Sequence, residues 1–185
     1  MTLIRILFVC TANVCRSPMA EAILVGLLHQ RGVEAEVMSA GVLGGGQPMD
    51  PDALAAVAHE GPQMKCHVSK PIRPLLIQGA DLVLCMEREH VREVVVKSPD
   101  AWEKTFTLKE LVRRGEVVGP VLPGETLTEW LARAGRNRGR EDLLGSSTED
   151  DISDPMGLPA SAIDQTADVL RGLCARLVDL LAPRT

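Results

Sequence analysis

Tyrosine is missing from all 185 residues, and the aromatic side chains are Phe8, Trp102, Phe106 and Trp130. Control by phosphorylation on tyrosine is therefore closed to this chain. Long apolar runs are missing too: none approaches the ~18 residues of a membrane-spanning helix. Positive charge is in deficit, with 20 Lys and Arg against 25 Asp and Glu and a net charge of -5. A dedicated nucleic-acid binder would show a basic face, so that class is excluded. The five cysteines, at 10, 15, 66, 85 and 174, are odd in number and irregular in spacing. They fit neither a secreted disulfide framework nor a Cys-x-x-Cys zinc site. The apolar stretch from Leu3 to Cys10 is interrupted by Arg5, and no small-residue cleavage site follows it. It does not read as a signal peptide, and a cytoplasmic location is expected.

What is present is a composition able to bury a core, 45% hydrophobic and 24% charged, in a length that suits one domain over residues 1–185. Leu3 to Val9 is β-rich and almost wholly apolar, as in a strand covered on both faces. The polar turn Thr11 to Arg16 follows. Ser17-Pro18 then reads as a helix cap and first helical residue, with the helix reaching about Gln30. Further strands are expected at 35–40, 81–86 and 105–108. Helices are expected at 50–60, 87–96, 109–114, 126–134 and 160–181. The last sets Ile163, Ala167, Leu170, Cys174, Leu177 and Leu181 on one face. Strands alternating with helices imply an α/β fold with a mostly parallel sheet and helices on both sides. Residues 115–150 are less regular. Their Arg133, Arg136, Arg138 and Arg140 read as a basic patch: a lid, a partner surface, or plain solvated charge.

Ligands of such folds sit at the carboxyl ends of the strands, where Cys10 to Ser17 falls. In a strand-to-helix turn, backbone N–H groups and the positive helix end converge on one spot and favour an anion. Together with the Arg16 charge they are expected to lower the pKa of Cys10. Arg16 can grip two oxygens of a phosphate through its planar fork. Ser17 can donate to the Cys10 sulfur, and Asn13 can tie the loop to itself in a left-handed conformation.

The run Val9-Cys10-Thr11-Ala12-Asn13-Val14-Cys15-Arg16-Ser17-Pro18-Met19-Ala20-Glu21-Ala22 resembles the phosphate-binding loop of the low-molecular-weight protein tyrosine phosphatases. Ser39-Ala40-Gly41, Ala80-Asp81-Leu82-Val83-Leu84 and Asp154-Pro155 extend the likeness over most of the chain, with 115–150 expanded. The resemblance implies a four-stranded parallel sheet flanked by helices. It also implies hydrolysis of a phosphomonoester, on a phosphorylated protein or a small molecule, through a phosphocysteine at Cys10. Residues Thr11, Ala12, Asn13, Val14, Cys15, Arg16 and Ser17 would then cradle the phosphate, and Asp154 would supply the general acid, worth ~10²–10⁴ in rate. Pro155 would fix the direction of that carboxylate, and Asp151 stands in if Asp154 points elsewhere. No metal or other cofactor is called for, because the loop N–H groups and Arg16 already stabilise phosphoryl charge.

Cys15 shares the tight loop with Cys10, so a reversible Cys10–Cys15 disulfide is expected to protect the nucleophile from deeper oxidation. The chain departs from the family at the pocket walls. Met156-Gly157 and Leu43-Gly44-Gly45-Gly46 stand where phosphotyrosine-directed members place aromatics. Phosphoarginine-directed relatives tend to carry threonine where this chain has Val14, which tilts the expected substrate towards an aryl or alkyl phosphate. Two alternatives compete: a thiol-coupled arsenate reductase, which needs further cysteines beyond strand three, and a catalytically idle phospho-binding module. His67, His90 and Cys66 lie on separate expected elements, and both histidines are expected to be solvated.

Overall fold

The computed structural model describes residues 3–183. Strand β1 (Ile4–Cys10) lies between β2 (Ala35–Gly41) and β3 (Leu82–Cys85), and β4 (Thr105–Thr107) flanks β3, all in parallel. Around this sheet run α1 (Arg16–Gln30), α2 (Pro51–Ala56), α3 (Pro74–Gly79), α4 (Arg88–Lys97), α5 (Leu108–Val118), α6 (Leu127–Ala134) and α7 (Ala160–Leu181). Successive strand side chains point to opposite faces, so an unbroken apolar run needs cover on both. Ile6, Phe8, Leu82 and Leu84 face a core shared with α1, α5 and α7. Leu7, Val9, Val83 and Cys85 face a second core with Ile77 of α3 and Val91 and Val94 of α4. The four-stranded parallel sheet with helices on both faces agrees with the expected fold, and α7 spans the expected residues.

Three local expectations fail, each for a physical reason. Helix α1 is capped at Cys15, without a side-chain bond, and Ser17 lies inside its first turn. The Ser17 hydroxyl is turned to the Cys10 sulfur instead. Helix α5 continues past Arg114 to Val118 because Gly115 marks close packing and not an end. A Cβ at Gly115 would sit 2.7 Å from Leu180 Cδ1 and 2.9 Å from Trp130 Cζ2. The arginine patch is not simply solvated charge. The Arg138 side chain is 3% exposed, bonds Glu110 at 2.8 Å, and stacks 3.8 Å over Trp102 and 4.0 Å over Phe106. Two of the four aromatics thus seat a buried cation, the arrangement in which ring faces attract guanidinium best. Arg133 is bound to Glu125 at 2.8 Å.

Candidate active site

The carboxyl end of β1 delivers Cys10 beside Gly41, the end of β2. The turn that follows passes so close to Gly41 that a Cβ there would lie 2.8 Å from Thr11 O and 2.9 Å from Ala12 C. Only glycine fits. Asn13 takes the left-handed conformation, φ 57, which turns its N–H back to the Cys10 sulfur at 3.2 Å. The Asn13 side chain donates to Ser17 Oγ at 2.9 Å and Ser39 Oγ at 2.8 Å, and its carbonyl accepts from Lys70 N at 3.0 Å. Ser39 in turn donates to Glu21 at 2.6 Å. Ser17 Oγ accepts from Asn13 Nδ2 and lies 3.0 Å from Cys10 Sγ and 3.5 Å from Ala40 O, the two groups its own hydrogen can meet. With the Asn13 N–H, it lines the sulfur with hydrogen-bonding groups.

Arg16, 1% exposed, crosses the mouth of this cup. One terminal nitrogen donates to Glu87 and, at 2.9 Å, to Ile152 O. The other donates to Thr11 Oγ1 at 3.1 Å and to Asp154 Oδ2 at 2.7 Å. The structure thus brings Cys10, Arg16 and Asp154 to one place across 144 residues of sequence. Asp154 is 40% exposed at its side chain, within reach of a substrate. Asp151 is committed elsewhere: its carboxylate accepts from Arg88 N at 2.8 Å and Ser147 N at 2.7 Å. Asp150 is buried between Arg88 and Arg113, at 2.7 and 2.8 Å. Burial opposes its charge, but the hydrogen bonds from Arg113 and Arg88 outweigh it and hold its carboxyl below the usual range. Of these three carboxylates, Asp154 is the one that meets Arg16.

Three participants escaped the sequence reading. Glu87, two residues beyond β3, holds Arg16; its place at a strand's carboxyl end was the available signal. The two histidines expected in solvent both bind the loop. His67 Nε2 meets Asn13 O at 2.8 Å, and His90, 2% exposed, meets Thr11 Oγ1 at 3.0 Å.

All five cysteines are free thiols. Burial, then Asp50, pushes the Cys15 pKa up to about 12. Cys85 and Cys174 are fully buried in different cores, and burial pushes both upward, Cys174 to about 12. Neither reaches the surface. Among the described residues, no helix is long and apolar enough to cross a membrane.

Comparison with known proteins agrees with this geometry. A sequence model described as low molecular weight phosphotyrosine protein phosphatase matches residues 5–128. A protein-arginine-phosphatase of Geobacillus stearothermophilus is 32% identical over 96% of this chain and 95% of its own. The crystal structure of a low molecular weight protein tyrosine phosphatase from T. tengcongensis superimposes with a TM-score of 0.71 at 33% identity, over 96% of this chain and 99% of that one. An arginine phosphatase solved as a cysteine-to-serine mutant with a phosphorylated active-site serine superimposes with a TM-score of 0.71 at 30% identity, over 95% and 94%. With a family match over the cup, the sheet and most of the helices, the chain belongs to the low molecular weight phosphotyrosine protein phosphatases.

Proposed function

We propose that residues 1–185 work as one phosphatase domain in the cytoplasm, hydrolysing phosphotyrosine on proteins with Cys10, Arg16 and Asp154 as the reacting and clamping groups. The chain is a cysteine-dependent phosphatase by family. What supports the residue roles is one observation: the sulfur and the guanidinium belong to the same eight-residue cup, and the Asp154 carboxylate lies 2.7 Å from that guanidinium.

In the proposed sequence, the Cys10 thiolate attacks phosphorus in line with the departing oxygen, which takes its proton from Asp154. The amides of residues 11–17 and the Arg16 fork hold the three non-bridging oxygens as charge builds on them. The Asp154 carboxylate then draws a proton from water, whose oxygen attacks the phosphocysteine. Inorganic phosphate departs, and the sulfur leaves as an anion stabilised by the Ser17 hydroxyl and the Asn13 N–H. No nucleic acid or membrane enters this scheme.

The likeness to an arginine phosphatase over nearly the whole chain favours a second reading, phosphoarginine on proteins. One feature weighs against it as the first choice: Val14 brings no hydroxyl to the cup and packs against the core. The exposed Leu43 and Met156 offer no ring for a phenyl group to stack on, so they do not favour phosphotyrosine over phosphoarginine. The deciding measurement is a panel of phosphotyrosine, phosphoserine and phosphoarginine peptides and sugar phosphates, with arsenate assayed alongside. Phosphotyrosine peptides should turn over fastest, with no arsenate-dependent thiol oxidation. Cys10→Ser should abolish all turnover while keeping phosphate binding. Faster phosphoarginine release would move the substrate to the second reading, and turnover surviving in Cys10→Ser would overturn the mechanism.

A further inference from the structure

His90 is a buried titratable group that the mechanism above leaves unused. It sits in the first turn of α4, 2% exposed, with both ring nitrogens engaged. Nδ1 accepts from the backbone N–H of Glu87 at 3.2 Å. An accepting Nδ1 fixes the neutral tautomer with its hydrogen on Nε2, and that nitrogen lies 3.0 Å from Thr11 Oγ1. Burial, then the charge of Arg16, pushes the His90 pKa down to about 4, so the ring is neutral at pH 7.

A threonine hydroxyl has two lone pairs and one hydrogen. Nε2–H of His90 takes one lone pair, and the Arg16 N–H at 3.1 Å takes the other. Neither partner can accept, so the hydroxyl hydrogen has no acceptor on either of them. Thr11 follows Cys10 in the cup, and the Arg16 nitrogen that reaches it is the one that also meets Asp154. A phosphoryl oxygen gripped by Arg16 is the acceptor this geometry leaves open.

We propose that His90 is a positioning residue: by donating Nε2–H to Thr11, it commits that hydroxyl to accepting from Arg16 and turns the hydroxyl hydrogen onto the bound phosphoryl group. The proposal rests on the reading of the cup as the phosphate site and adds a side-chain donor to it. A charge-assisted hydrogen bond of this kind is lost when the hydroxyl is free to rotate.

Asparagine and glutamine separate the two ring nitrogens. The His90→Asn carbonyl reaches the Nδ1 position and keeps the bond from Glu87 N–H, but it offers nothing to Thr11. The His90→Gln amide reaches the Nε2 position and restores the donor. The readout is the dissociation constant for inorganic phosphate on the intact protein, measured with KM for para-nitrophenyl phosphate. Both constants should rise about tenfold in His90→Asn and in Thr11→Val, should rise no further in the double variant, and should return most of the way in His90→Gln. Effects of the two substitutions that add, or a glutamine no better than asparagine, would overturn the proposal.

The nitrogen-15 spectrum of the wild-type imidazole keeps the test alive if His90→Asn fails to fold. It should show the Nε2–H tautomer at pH 7, and an Nδ1–H or doubly protonated ring refutes the proposal. Failure of the substrate reading is seen separately, because phosphate binding and the tautomer do not depend on which phosphoester is cleaved.

Discussion

Residues 10–17 and residues 147–158 face the same arginine, yet they are held by different means. The cup carries bonds among its own atoms, Asn13 N–H and Ser17 Oγ on the Cys10 sulfur and Asn13 Nδ2 on Ser17, besides those from Ser39, His67 and His90. The strap that carries Asp154 has no helix or strand of its own and is fastened by side chains from elsewhere. Arg88 and Arg113 grip Asp150, Lys109 holds Asp151 O at 2.6 Å, and Arg16 holds Ile152 O. One backbone bond, Ile152 N to Met86 O at 2.7 Å, ties the strap to the end of β3. A loop closed mostly by local contacts thus meets a carboxylate placed by remote cations. Phosphate binding should therefore resist substitutions in the strap, whereas the placement of Asp154 should not.

The largest expected effect that separates them is Asp154→Asn. Without a proton to give, turnover of substrates with poor leaving groups should fall ~10²–10⁴-fold, while para-nitrophenyl phosphate should lose far less. Inorganic phosphate should still bind, because the cup is untouched. Equal losses on good and poor leaving groups would show that Asp154 is not the acid.

Asp150→Asn tests the fastening and should do less. The substitution leaves Arg88 and Arg113 facing an amide, and hydrogen bonds to charged groups contribute ~1.5–3 kcal/mol when buried. Thermal unfolding should report that loss. Turnover of poor leaving groups should drop by less than in Asp154→Asn, with phosphate binding unchanged. The pH dependence follows from the lowered pKa of Asp150. Its contribution is fully present above the unfolded-state value of ~3.9 and disappears only as pH falls through the still lower folded value. The wild-type strap should therefore stay fastened at neutral pH and release in acid below about pH 4. A weakened phosphate affinity in Asp150→Asn would mean that cup and strap are not independent.

The same contrast explains what the sequence disclosed. Cys10, Asn13, Arg16 and Ser17 are neighbours in sequence, so their joint chemistry could be read from spacing and a strand-to-helix turn. Asp154 was found by resemblance, through its proline, and not by any local rule. Glu87 and His90 lie 71 and 79 residues from their partners Arg16 and Thr11, and only the sheet order brings them there. Buried ion pairs erase the usual cue as well. Arg138 looks like surface charge in sequence, and only the packing of Trp102, Phe106 and Glu110 shows it inside. Strands and long helices were legible because their apolar periodicity records burial. The strap and the arginine seats were not, because polar residues carry no record of their partners.

The smallest effect concerns the cup alone and appears only under oxidation. Peroxide converts the Cys10 thiolate to a sulfenic acid, releasing hydroxide. The Cys15 thiolate can then attack that sulfur, expelling hydroxide and closing a disulfide that added dithiol reduces to two thiols. Wild-type activity should return after peroxide and then dithiol, and return much less in Cys15→Ser, each measured against its own untreated sample. Burial sets the pace: with the Cys15 pKa near about 12, its thiolate is scarce at neutral pH. Closure should therefore quicken about tenfold for each pH unit raised from 7, which intact-mass analysis of the disulfide fraction measures. Equal recovery in Cys15→Ser, or closure indifferent to pH, would leave Cys15 as a packed side chain of the cup and nothing more.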